Sequence, residues 1–176
     1  MPDRVWVGEM TMSGEHTIAL TGVLFLPVAV IPVLLALQTF AARSERVATL
    51  WWRIASASSA TRMASLLLLV SADIHLTLVP VHLAEEPVTG ALFLIDGLAL
   101  TAAAIAASTT PHWRAPALAL LVANVLVYAL YLAAGWEGAD VIGVGTKLLE
   151  VAGIVAILDS HRVAPVAIAG ARGWAR

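Results

Sequence analysis

The chain reads as an all-α integral membrane bundle of five transmembrane helices, N-terminus outside and C-terminus cytoplasmic. Three observations predict this. Sixty per cent of its 176 residues are hydrophobic and only 12 % are charged, far from the roughly half apolar and one-quarter charged of a soluble domain. Five separate apolar runs are long enough to cross a hydrocarbon core about 30 Å thick, which needs about 20 residues at about 1.5 Å of rise each. Finally, the arginines fall in alternate connecting segments.

The spans are expected at about 17–42, 63–79, 88–108, 115–135 and 141–158. Without water to satisfy backbone amides, each run must pair its own N–H and C=O groups and so be helical. The alternating pattern of a membrane barrel is absent. Pro27 and Pro32 sit inside the first span, where each removes an amide donor and bends the helix. That span follows three acids and a single Arg4 and is too long for the core of a signal peptide, so it is retained as a real span. Between the first two spans, "RSERVATLWWRIAS" places Trp51 and Trp52 between arginines. This predicts an interfacial helix at about 44–57, either a plain anchor or a lipid or partner site. Pro80 is expected to end the second span, and the small residues Ala99, Ala103 and Ala107 to let the third pack closely.

Orientation follows from the basic residues. Arg43, Arg46, Arg53, Arg62, Arg114, Arg162, Arg172 and Arg176 occupy one set of connecting segments, against Arg4 alone in the other. Eight against one, under the positive-inside rule, makes the first set cytoplasmic. The whole chain is one transmembrane domain, 1–176, with no convincing internal repeat of the kind many transporters carry.

Ionisable residues inside the spans cost at least about 2.5 kcal/mol each, so they should face the bundle interior and meet one another. Counting inward from the outer span ends at about 1.5 Å per residue, His75, Asp73, Asp96, Lys147 and Glu150 lie about 7 to 13 Å deep. Asn124 and Tyr128 on the fourth span lie at comparable depth. Together these seven residues predict a polar pocket opening outward in the outer half of the bilayer. Three carboxyl groups facing one lysine would take up protons or recruit a cation. The alternative is that they pair as glue between helices.

Metal binding is a further expectation at the mouth. If Pro80 turns the chain, His82 with Glu85 or Glu86 could fold back towards His75, a set suited to zinc, copper or iron. His16, with Met10 and Met12, lies on the same side and would suit softer copper. Haem fits less well, since His75 is the only histidine clearly within a span. Zero cysteines exclude disulfides, thiolate metal sites and iron–sulfur clusters. No G-x-S-x-G elbow, P-loop, H-E-x-x-H or dinucleotide fingerprint occurs, which argues against an enzyme.

"HLTLVPVHLAEEPVTGALFLIDGLAL" and the later "VLVYALYLAAGWEGADVIGVGTKLLEV" resemble a group of small five-span membrane proteins of high-GC bacteria. The resemblance covers about two-thirds of the chain and implies a multi-pass bacterial plasma-membrane bundle. It carries no activity over. Two functions therefore stand: a membrane protein whose outward pocket binds a cation (metal or proton-linked) or small polar ligand, and an accessory subunit of a larger complex, such as a respiratory, haem- or quinone-associated one. Expected partners are the bilayer and a second copy or larger membrane complex, not nucleic acid.

Overall fold

A computed structural model of the protein describes residues 14–136 and 138–160. They form six helices: α1 (Gly14–Ala41), α2 (Glu45–Ser56), α3 (Ser59–Glu85), α4 (Pro87–Thr109), α5 (Arg114–Ala133) and α6 (Val141–Asp159). All except α2 are long and apolar enough to cross a membrane, and no strand occurs among the described residues. The short α2 matches the interfacial helix that the arginine–tryptophan pattern predicts.

Local chemistry sets several helix ends. Ser58 Oγ accepts from Thr61 N at 3.1 Å to start α3. Asp140 accepts from the amides of Ile142 and Gly143 at 2.8 and 2.9 Å to start α6, two of the donors a helix N-terminus leaves unpaired. Pro87 opens α4, where its missing N–H costs nothing.

Pro80 does not end its helix. The sequence places that end at Val79, yet α3 continues through Pro80 to Glu85, and the expected loop shrinks to Glu86 alone. Proline deletes one amide donor, and its ring lies on the exposed side of α3, where there is room for it. The ladder resumes beyond it, with Glu86 N donating to His82 O at 2.7 Å. In a bilayer the remaining helical bonds have no competitor, so one lost bond does not stop the helix.

Helix α3 is the hub, packing against α1, α4 and α6, while α5 rests on α6 and α4, and α2 on α1 and α4. The α3–α4 hairpin is the tightest pairing. A β-carbon on Gly97 would come within 2.6 Å of Leu76 Cγ, and one on Gly90 would collide with the backbone of Leu83. Gly90, Gly97 and Ala104 recur every seventh residue on the buried face of α4. This stripe lets the two backbones approach, and of the alanine row expected from sequence Ala107 is buried and Ala103 packs against the core beside it.

Two apolar clusters fill the bundle. The larger joins Ala64, Leu68, Leu100, Ala104, Trp113, Leu121 and Ile157 in the half that includes the start of α3 and the end of α4. A smaller one around Ile74 and Leu78, with Val23, Phe93 and Ile142 against it, lies in the other half. By contrast, α1 buries none of its apolar window, and Leu24, Phe25, Val28 and Phe40 point outward. Such a face suits hydrocarbon chains.

The described arginines, Arg43, Arg46, Arg53, Arg62 and Arg114, all sit at one end of the bundle. Two of them close helix termini. Arg53 Nη1 donates to Thr109 O at 3.0 Å, at the end of α4. Arg114 donates to Ser160 Oγ at 2.9 Å and to Ser160 O at 3.3 Å, at the end of α6, with its guanidinium 5.6 Å above the Trp113 ring. Both place positive charge where the helix dipole is negative.

Replacing Gly97 by leucine should force α3 from α4 and lower stability by about 1–3 kcal/mol, as overpacking does. Thermal unfolding in detergent measures this. Gly145→Ala serves as the control, because a β-carbon there meets nothing within 4 Å.

Candidate functional site

Four helices bring polar side chains to one level. On α6, Lys147 and Glu150 are one turn apart, and Lys147 Nζ donates to both carboxylate oxygens of Glu150 at 2.9 and 2.8 Å. On α3, Ser71 Oγ donates to Glu150 Oε1 at 3.0 Å. The Glu150 side chain is 0 % exposed. A carboxylate so buried persists only with charge and hydrogen-bond partners, and it has both.

One turn along α3 from Ser71 stands His75. Its Nδ1 lies 2.8 Å from Ser71 O, and because a carbonyl only accepts, Nδ1 carries a hydrogen. Its Nε2 faces Asp96 Oδ2 on α4 at 3.3 Å. The same oxygen accepts from Asn124 Nδ2 on α5 at 2.9 Å. With Nδ1–H committed to the carbonyl, the Nε2 contact is attractive only when a proton lies on that edge. The pair is then either imidazolium with carboxylate or imidazole with carboxylic acid.

Tyr128, one turn from Asn124, adds the last side. Lys147 Nζ lies 5.7 Å from its ring centroid, within reach of a cation–π attraction. Its hydroxyl converges with Asp140 on the α-carbon of Gly143: a β-carbon there would lie 2.6 Å from Tyr128 Oη and 2.8 Å from Asp140 Oδ2. The absence of a side chain at Gly143 admits the tyrosine.

Six of the seven expected pocket residues thus come together. Asp73 does not. It faces α1, where a β-carbon on Gly22 would come within 3.0 Å of Asp73 Oδ2 and 2.5 Å of Thr77 Cγ2. Its Oδ2 is buried with no hydrogen-bond partner among the described residues. Two residues apart on a helix point to nearly opposite sides, which is why Asp73 and His75 part company.

One depth differs from expectation, that of His75. Ser71, His75, Asp96, Asn124 and Glu150 all lie within three residues of the midpoints of their helices, which fall at residues 72, 98, between 123 and 124, and 150. These residues therefore share one level near mid-helix, which for Asp96, Asn124 and Glu150 is where counting from the span ends puts them. The extension of α3 past Pro80 accounts for the shift: ten residues separate His75 from Glu85, about 15 Å at helical rise.

Phe93 was not singled out from sequence. Its ring lies 5.2 Å from that of His75, tilted, and 4.6 Å from that of His82, stacked. It occupies the space between two histidines that the metal reading would bring together. Among the described residues no three His, Asp or Glu side chains form a metal-binding group, and Glu85 and Glu86 are exposed at the helix end. His16 begins α1 with its side chain outside the described residues, as are Met10, Met12 and His161. The polar residues meet as a mutually paired chain rather than around an open pocket. A cleft of about 460 Å³ at the start of α6, lined by Asp140, Val141, Val144 and Leu148 among others, includes none of them.

No protein-family model, curated protein or solved structure matches this chain.

Lys147→Met should strand the Glu150 carboxylate and cost about 3–5 kcal/mol, whereas the Lys147→Met/Glu150→Leu double variant should regain most of it. Denaturation of the four proteins of that cycle, in one detergent, checks the coupling.

Proposed function

We propose that this polytopic membrane protein holds an exchangeable proton at mid-membrane, on the His75–Asp96 pair, and that proton uptake there is its functional event. The observation that carries this reading is the Nδ1 bond to Ser71 O, which turns Nε2 towards Asp96, where a shared proton would make the contact attractive. Lys147 and Glu150 neutralise each other next to it, so the His75–Asp96 pair is set beside a balanced one. Intramembrane acid–base chains of this kind serve proton relays and coupled binding. Of the cations considered from sequence, the proton fits this geometry best, since it needs no cavity and no third ligand.

Access is asymmetric in this reading. The larger apolar cluster seals the arginine end, whereas the other direction passes through Phe93 and the half-buried His82. Under the positive-inside rule the arginine end is cytoplasmic, so the proton exchanges with the outer side of a bacterial plasma membrane. A second reading, an accessory subunit of a larger membrane complex, is favoured by one fact: the charged groups of the cluster already have partners, as helix-association residues would.

Infrared difference spectra of the protein in nanodiscs between acidic and alkaline buffer separate the two. A carboxyl or imidazole signal that disappears in both His75→Gln and Asp96→Asn, but survives in Asp73→Asn, is expected. Spectra without any such signal, together with loss of a larger assembly on native gels in the same variants, would establish the accessory role. In Asp96→Asn, nitrogen-15 spectra of labelled histidine should show His75 as the neutral Nδ1–H tautomer, its Nε2 now accepting from an amide.

A further inference from the structure

We propose that α2 carries a binding site for the phosphate headgroup of an anionic phospholipid, formed by Arg46, Thr49 and Arg53 with Leu50 at its edge. These four residues line an open groove of about 300 Å³ on the surface of the bundle. Arg46 and Arg53 are seven residues apart, two turns on the same side of the helix, and Thr49 stands between them. Two guanidiniums so placed offer donors suited to phosphate oxygens, while the Thr49 hydroxyl, which donates to Glu45 O at 2.8 Å, leaves open space between them. Neither arginine forms an ion pair with a carboxylate among the described residues. Arg53 spends one nitrogen on Thr109 O, which anchors the groove to the end of α4. Arg46 makes no hydrogen bond to a described residue.

The occupant is a lipid rather than free phosphate because the groove has two unlike sides. The arginines form one side, and Leu50 turns towards the apolar face that Val47, Trp51 and Ile54 complete. An anion bound between the guanidiniums would therefore have hydrocarbon beside it. Position agrees with this. Helix α2 joins two membrane-spanning helices, buries no residue, and leaves Trp52 61 % exposed. It sits where headgroups are, with an aromatic side chain at that level.

Native mass spectrometry of the protein released from nanodiscs of phosphatidylcholine with an equal share of phosphatidylglycerol tests this. Retention of phosphatidylglycerol over phosphatidylcholine is expected, falling roughly fivefold for Arg46→Gln and further for Arg46→Gln/Arg53→Gln. Arg46 is exposed and Arg46→Gln removes no hydrogen bond or ion pair among the described residues, so unfolding does not obscure its result. Arg43→Gln/Arg62→Gln, which removes equal charge at the same end, should retain the lipid as the parent does. Equal retention of both lipids by the parent, or equal loss in the two double variants, overturns the site. Displacement of the lipid by millimolar inorganic phosphate would mark the groove as a free-anion site and would overturn the lipid assignment.

Discussion

The carboxylate of Glu150 sits at the midpoint of α6 with its side chain wholly shielded, and the arrangement of the bundle follows from satisfying it. An isolated ionised group in such a place carries a penalty of several kcal/mol. Lys147 supplies charge from one turn away, but Ser71 supplies its hydrogen bond from another helix. That second bond requires α3 and α6 to meet in one register. Ser71 also offers its carbonyl to His75, so the register that satisfies Glu150 orients the imidazole as well. The histidine then fixes where Asp96 and α4 must stand, and Asn124 draws in α5. A single buried acid thus propagates its demands through four helices.

Much of this was legible from the chain. The helical class, the five spans and the interfacial segment follow from hydropathy and arginine placement, because the bilayer imposes length and leaves no alternative to helical pairing. Convergence of the intramembrane ionisable residues follows from their cost in lipid. The register was not legible, and one proline is the reason. With α3 ended at Val79, His75 appears shallow and His82 free to fold back. With α3 carried to Glu85, the hairpin turns on Glu86, and equal counting from that residue sets Gly90 opposite His82, Phe93 opposite Val79, and Gly97 opposite His75. The close contacts of Gly90 with Leu83 and of Gly97 with Leu76, and the position of Phe93 between the histidine rings, match this pairing. Ser71 is illegible for a different reason: a serine in a span carries no charge to betray its role, and its signal is only the four-residue spacing to His75.

Arginine placement carries more than orientation. Positive charge at one end is usually read as a topological signal, yet Arg53 and Arg114 here also occupy the terminal carbonyls of α4 and α6. The ends of those helices leave acceptors that would otherwise need water or headgroups. The same end contains the larger apolar cluster, with Trp113 buried beneath Arg114. Tied helix ends and the larger filled core thus coincide at this end of the bundle.

The opposite half is built differently. Its apolar cluster is small, and Asp73 faces α1 with a buried oxygen that no described residue partners. Helix α1 itself is held chiefly along α3 and α2, with no residue of its apolar window fully buried and two prolines within it. Each proline deletes a backbone bond and admits bending. Displacement of α1 would expose Asp73 and Thr77 on α3 while leaving the chain from Lys147 to Asn124 intact, because none of its bonds involves α1. The fold therefore separates an acid–base chain on four helices from a fifth membrane-spanning helix that makes none of its bonds.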